Sequence, residues 1–364
     1  MKITLISTGL EVGGGEKQVC DLADQFSSKG HLVQLISLTG KTILTPQSST
    51  VELIELKATK APLSLLQALL KAKKHIDRFE PDVVHSHMIH ANIFSRFLKL
   101  IGSSAPLVCT AHSTNEGGSL RTLAYRYTDW LCNLNTNVSE EAVKVYLDKK
   151  TCKPGKIVAV VNGIDVDKFH FDVSVREEKR KLLELGSDEM LLLAVGRLSE
   201  PKDYPNLLDA FSELIASNNV KAKLAIVGVG ELEEEIKAKV HDMNLSNSVR
   251  FLGLQSDVEN WMCAADIFVM SSAWEGLPLV LLEAMACERV VVATDCGGIR
   301  GAVQENGKVV PTRNSNALAQ ALATYIELPA SNREKLGKLA REYIVANYSL
   351  SAVADKWVSI YRSL

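Results

Sequence analysis

A chain of 364 residues is long enough for two domains, because a single hydrophobic core rarely extends that far. Apolar residues make up 46% and charged residues 23%, the balance of a soluble globular protein, and a net charge of −2 argues against a nucleic-acid-binding surface. Seven cysteines without a C-x-x-C pair read as reduced thiols of a cytoplasmic protein, and no run approaches the roughly 18 apolar residues of a membrane span.

The elements repeat as strand, glycine turn and helix. "KITLIS" opens as a strand, with an apolar stretch too short for a signal peptide, and a helix follows through "EKQVCDLADQFSSKG", stopped by Gly30. "HLVQLISL" and "VELIEL" read as strands and "SLLQALLKAKKHIDRF" as an amphipathic helix. "DVVHSH", "APLVCTAH", "LNTNVS" and "KIVAVV" continue the strands. Near residue 165 the pattern pauses in the charged "NGIDVDKFHFDVSVREEKRK", which reads as a linker leading into a helix. It restarts with "MLLLAVGRL", "AKLAIVGVG", "VRFLGL", "DIFVMSS" and "RVVVATDC", and "YSLSAVADKWVSIYRSL" adds a final helix. Near-continuous apolar strands alternating with helices predict two doubly wound α/β domains, 1–168 and 169–347, facing across a cleft toward which the strand carboxyl ends point.

"WEGLPLVLLEAMA" places two acids around a buried helix. Glu275 falls in the strand-to-helix turn, and Pro278 suits the first turn. The amides of Leu279 and Val280 then point at the cleft, where the helix dipole favours an anion. Glu283, two turns along, suits a pair of vicinal hydroxyls. The plainer alternative is that Glu275 stabilises the helix start and Glu283 is a surface residue. "VGRLSEPKDYPNLLDAF" adds Arg197 beyond a strand end and Lys202 in the next loop, two cations that suit a diphosphate, or else a solvated pair. In "GLEVGGGEKQ" three glycines allow close backbone approach to a phosphate or sugar, although the spacing is not G-x-G-x-x-G.

Taken together, "GGGEKQ", "CTAHS", "VVNGID", "VGRLSEPKDYPNLLDAF", "VGVGELEEE", "FLGLQSDVENWMCAADIFVMSSAWEGLPLVLLEAMA" and "CGGI" resemble the GT-B-fold retaining glycosyltransferases of family 4, nearly end to end. The resemblance implies a second domain that binds a nucleotide-sugar, a first domain that binds the acceptor, and a last helix, 348–364, that crosses back onto the first domain. It assigns the donor diphosphate to Arg197, Lys202, Gly14 and the amides of Leu279 and Val280. The ribose goes to Glu283, the base to the backbone of the turn at Leu254, and the donor sugar to Glu275 and His112. The expected reaction moves a hexose or N-acetylhexosamine, UDP-linked, onto an acceptor hydroxyl with retention, without metal or cofactor. The expected acceptor is a polyprenyl-diphosphate-linked saccharide of surface polysaccharide, with "LTGKTILTPQSST" and "HSTNEGGSLRT" bordering the acceptor side.

Two patterns argue for other chemistry and are set aside. "HSHMIH" offers His85, His87 and His90, but a strand puts only the first two on one face, and nothing completes a zinc set. "DVD" at Asp165 to Asp167 belongs to the loop after Asn162 and Gly163, which turn the chain at the cleft. Lys71, Lys73 and Lys74, with "SRFLKLIG" and "SLRTLAYRYTDW", would give weak peripheral contact with an anionic inner membrane face, or an ordinary solvated surface. A nucleotide-sugar epimerase of the same architecture is the competing enzyme; incubation with donor alone separates the two. A non-enzymatic nucleotide-sugar-binding subunit is the third reading, against which the complete set of site residues counts.

Overall fold

The computed structural model describes residues 1–11, 13–112, 119–217 and 220–364. The chain divides into two compact units, Met1–Gly163 with Leu350–Leu364, and Ile164–Ser349.

The first unit holds β1 (Lys2–Ser7), α1 (Gly14–Ser28), β2 (Leu32–Ser37), β3 (Glu52–Glu55), α2 (Pro62–Phe79), β4 (Val83–His87), α3 (Ile89–Leu100), β5 (Leu107–Ala111), α4 (Ser119–Thr128), β6 (Leu134–Asn137), α5 (Glu140–Asp148) and β7 (Ile157–Ala159). Its sheet runs β3-β2-β1-β4-β5-β6-β7 with every pairing parallel. Strands covered on both faces have no polar face to show, which is why β4 and β5 are buried along their whole length.

The second unit holds α6 (Val173–Leu182), β8 (Met190–Val195), α7 (Tyr204–Ser217), β9 (Ala222–Val227), α8 (Glu233–Asp242), β10 (Val249–Gly253), α9 (Val258–Ala264) and β11 (Ile267–Met270). It continues with α10 (Leu279–Ala286), β12 (Val290–Thr294), α11 (Ile299–Val303), β13 (Gly307–Val310), α12 (Ser315–Glu327) and α13 (Ala330–Tyr348). Its sheet, β10-β9-β8-β11-β12-β13, is again parallel. In both sheets the order reverses beside the first strand, between β1 and β4 and between β8 and β11. Helices on either side of such a reversal diverge and leave a crevice at the strand carboxyl ends.

The last helix, α14 (Leu350–Arg362), packs into the first unit. Val353, Ala354, Trp357 and Tyr361 join Ile3, Leu5, Val19 and Phe26 in one core, and Lys29 ties the helix down at 2.8 Å from Asp355.

Three elements depart from expectation. The short strand β13 lies in "NGKVVP", where two valines between polar residues give too little periodicity to read as a strand. The last helix starts at Leu350, because α13 runs on to Tyr348. The expected linker is ordered: Arg176 donates to the carbonyls of Ala264 and Ala265, each at 2.8 Å, and Arg180 reaches Asp266 at 2.9 Å, so α6 is stapled to α9 and β11. Burial raises the cost of the Asp266 charge, yet the two guanidiniums hold its carboxyl below the usual carboxylate range.

Candidate active site

In the second unit the reversal point gathers the residues that carry charge. After β8 the chain runs through Gly196 and Arg197 into a single 3-10 turn, Glu200–Lys202, and Asp203 takes the left-handed conformation (φ 47°) that lets α7 begin at once. The Lys202 ammonium folds back onto the carboxylate of Glu275, which stands in the turn after β11. Ser272 donates to the same Glu275 oxygen at 3.0 Å, and Ser271 donates to the Lys202 carbonyl at 2.8 Å. The Ala273 amide completes the stitch by donating to the Pro201 carbonyl at 2.8 Å. The two loops are one assembly.

Gly297 carries the Glu275 turn from behind. Its φ is +55°, and a Cβ there would lie 2.3 Å from the Glu275 carbonyl oxygen and 2.2 Å from that of Gly276. Only glycine fits both demands. Half-buried Cys296 has its thiol raised to about 11, first by desolvation and then by the Glu275 charge. Burial and the same carboxylate push the Tyr204 phenol well up; that hydroxyl donates to the Gly196 carbonyl at 3.0 Å.

Arg197 is placed differently from Lys202. Its side chain is 72% exposed, and Nε donates to Glu231 at 3.0 Å. The expected pair of adjacent cations is therefore two separate ion pairs, Lys202–Glu275 and Arg197–Glu231. Sequence reading missed Glu231, although it lies in the quoted "VGVGELEEE", one residue beyond the glycine turn that follows β9.

Pro278 is the N-cap residue of α10, so the half-buried Leu279 and Val280 are its first two residues, where backbone amides lack an intrahelical acceptor. Glu283 is half-buried one turn further along. Leu254, just past Gly253 (φ +64°) at the end of β10, is 81% exposed.

In the first unit, Gly14 is exposed as the first residue of α1, and Asn162 is half-buried after β7. His112 lies one residue beyond β5. It is Gly15 rather than Gly14 that stands over the imidazole, with the ring 3.5 Å from where a Cβ would be. Burial lowers the His112 pKa to about 4. Its Nε2 is 3.1 Å from Nδ1 of His87, and the His87 ring lies tilted against His85 with centroids 4.0 Å apart. His85 in turn bonds the Tyr361 hydroxyl and Thr110, both at 2.6 Å. A histidine row thus runs from the last helix to the α1 start, and sequence reading had considered its first two members only as metal ligands. His90 lies apart on α3, and the described residues contain no group of three His, Cys, Asp or Glu able to hold a metal. Asp165 accepts from the amides of Asp167 and Lys168, at 3.0 and 2.9 Å, and so caps its own turn. Of "HSTNEGGSLRT", residues 113–118 lie outside the described residues.

Comparison with known proteins fits this geometry. The profile described as Glycosyltransferase Family 4 matches residues 12–168, and that of Glycosyl transferases group 1 matches residues 175–343. An Escherichia coli relative, UDP-Gal:alpha-D-GlcNAc-diphosphoundecaprenol alpha-1,3-galactosyltransferase, is 26% identical over 81% of this chain and 79% of its own. A Campylobacter jejuni N-acetylgalactosaminyltransferase acting on a diphospho-undecaprenol glycan is 26% identical over 90% of each chain. Among solved structures, a Rickettsia africae glycosyltransferase superposes with a TM-score of 0.85 at 21% identity, over 99% of this chain and 98% of that one. Anabaena HepE in complex with UDP gives 0.82 at 21% identity over the whole of both. These likenesses establish the GT-B fold, and the two consecutive profiles establish that the chain belongs to the family 4, group 1 glycosyltransferases.

Proposed function

We propose that this glycosyltransferase moves a hexose or N-acetylhexosamine from a UDP-sugar to a hydroxyl of a polyprenyl-diphosphate-linked saccharide, with retention. The observation that carries the donor reading is the Lys202–Glu275 pair, set at the carboxyl ends of β8 and β11 beside the free amides that open α10. A diphosphate there meets a cation and a helix N-terminus, and Lys202 can exchange Glu275 for phosphate oxygens. Glu275 is then released toward the sugar, and Glu283 serves the ribose. The neighbour solved with UDP and glucose supports this choice of donor, and the diphosphoundecaprenol substrates named for two relatives support the acceptor. The roles of Gly14, Asn162, His112, Arg197, Leu254, Leu279 and Val280 follow the family resemblance.

In the reaction the bond from the anomeric carbon to the diphosphate oxygen breaks, and a bond to the acceptor oxygen forms on the same face. The acceptor proton passes to the departing phosphate. The barrier lies in the charge of the leaving diphosphate, so Lys202, Arg197 and the α10 amides act chiefly by electrostatic stabilisation. Glu275 positions the sugar. Side-chain cations take the place of a metal. No helix among the described residues is long and apolar enough to cross a membrane. The lipid-linked substrates named for two relatives support our assignment of a peripheral position at the inner membrane face.

A thermal-shift screen of nucleotide-sugars tests the donor, since a ligand that binds only the folded state raises the midpoint. Transfer to a lipid diphosphate acceptor in EDTA, with the product anomer read by NMR, tests the rest. Interconversion of the donor in the absence of acceptor would instead support the epimerase reading.

A further inference from the structure

The first unit carries an apolar groove of about 690 Å³ between α2 and α3, of a size typical of small-molecule sites. Helix α2 turns Ala68, Ala72 and Ile76 into the core. Its leucines at 65, 66 and 69 instead wall the groove, facing Ile93, Phe94 and Phe97 of α3. Leu66 is 53% exposed and Phe97 46%, although neither helix needs them on its outer face. Contiguous apolar surface of this kind marks a binding site. One end of the groove is polar: Thr8, Thr39 and Thr59 line it at the carboxyl ends of the first strands, with Lys60 and His90. Burial, then nearby Arg121 and Lys60, hold the His90 pKa below its ordinary value, so its ring is a neutral hydrogen-bonding group and Lys60 is the cation on the lining.

An apolar trough with a cationic mouth matches an anionic amphiphile. We propose that the groove holds the polyisoprenyl chain of a diphosphate-linked acceptor, with the diphosphate against Lys60 and His90. This rests on the lipid-linked acceptor proposed above. The groove is concave and charged at one end, which suits one lipid molecule with its head group. A bilayer leaflet would ask instead for a flat face with cations all round.

Calorimetry on the full chain with farnesyl diphosphate, farnesol and inorganic diphosphate tests this. UDP is titrated first and then kept saturating, so that the donor site cannot take the probe's diphosphate. The wild-type protein should bind farnesyl diphosphate at least tenfold more tightly than either fragment. Leu66→Asp and Phe97→Asn, both at half-exposed positions, should each weaken it tenfold or more and leave UDP affinity unchanged. Lys60→Ala should erase the preference for farnesyl diphosphate over farnesol. Equal affinity for farnesyl diphosphate and inorganic diphosphate, or groove variants that bind as wild type, would overturn the proposal. So would a Leu66→Asp protein that loses only its binding to anionic phospholipid vesicles, which would make the groove a leaflet contact. The initial UDP titration reports on the donor reading separately, and farnesyl diphosphate bound tightly but equally by wild type and both groove variants would leave a lipid-linked acceptor standing while removing it from this groove.

Discussion

Lys202 and Glu275 form an ion pair across 73 residues of chain, with side chains only 19% and 18% exposed. Neither residue is free in the structure, so on the proposed donor reading a diphosphate would exchange one partner of Lys202 for another. The pair would thereby link occupancy of the proposed donor site to the position of the acid proposed to face the sugar.

Lys202→Ala should lower transfer more than tenfold, because an anchored charge contact contributes a few kcal/mol to binding and to the transition state. It should also destabilise the second unit by about 1–3 kcal/mol, since it leaves Glu275 partly buried with Ser272 as its remaining side-chain donor among the described residues. The double variant Lys202→Ala/Glu275→Ala should regain part of that stability, because the stranded charge is gone. Denaturant midpoints of the three proteins check this. Strict additivity would mean that the two groups do not depend on each other.

Most strands, and the two doubly wound halves, were legible because buried parallel strands have few polar interruptions and their helices have clear apolar faces. The cluster at Glu275 was legible as spacing: Glu275, Arg197 and Lys202 lie in the connections after strand ends, and Glu283 lies on the helix that follows. Their partners were not. Glu231 competes for Arg197 and Ser272 for Glu275 through contacts between separate loops, and no periodicity encodes such contacts. The same holds for Gly297, whose need for glycine comes from two carbonyls about twenty residues earlier. His85 and His87 were read only for their shared face, because the α14 partner Tyr361 is 276 residues from His85.

Arg197 is held by Glu231 in an exposed pair, and such pairs add little stability. Arg197→Ala should therefore leave the denaturant midpoint nearly unchanged while weakening UDP binding. Glu231→Gln removes the competitor for the guanidinium and should tighten UDP binding a few-fold at low salt, with the gain shrinking as salt rises. Calorimetry at two ionic strengths decides it; unchanged affinity in both variants would remove Arg197 from the diphosphate site.

Glu283→Ala should chiefly weaken UDP binding, because its proposed partner is the ribose. Glu275→Ala should slow the chemical step while UDP still binds, and Glu275→Gln should fall between it and wild type if positioning dominates. UDP calorimetry paired with single-turnover transfer separates these roles. Equal loss of UDP affinity in both alanine variants, with folding intact, would show that the two acids do not divide the donor in this way.

The histidine row should make the first unit sensitive to acid. Burial comes first among the causes that depress His85, His87 and His112, and it takes His112 to about 4. In the unfolded chain histidines take up protons near pH 6.5, whereas in the folded unit these three stay neutral well below that. Between pH 7 and 5 the unfolded state thus binds more protons than the native one, and stability falls as pH falls. Each histidine adds a slope of up to about 1.4 kcal/mol per pH unit in that window. Hydrogen exchange at the amides of β4 and β5 follows this unit by itself, and protection there should drop from pH 7 to pH 5 after correction for intrinsic exchange.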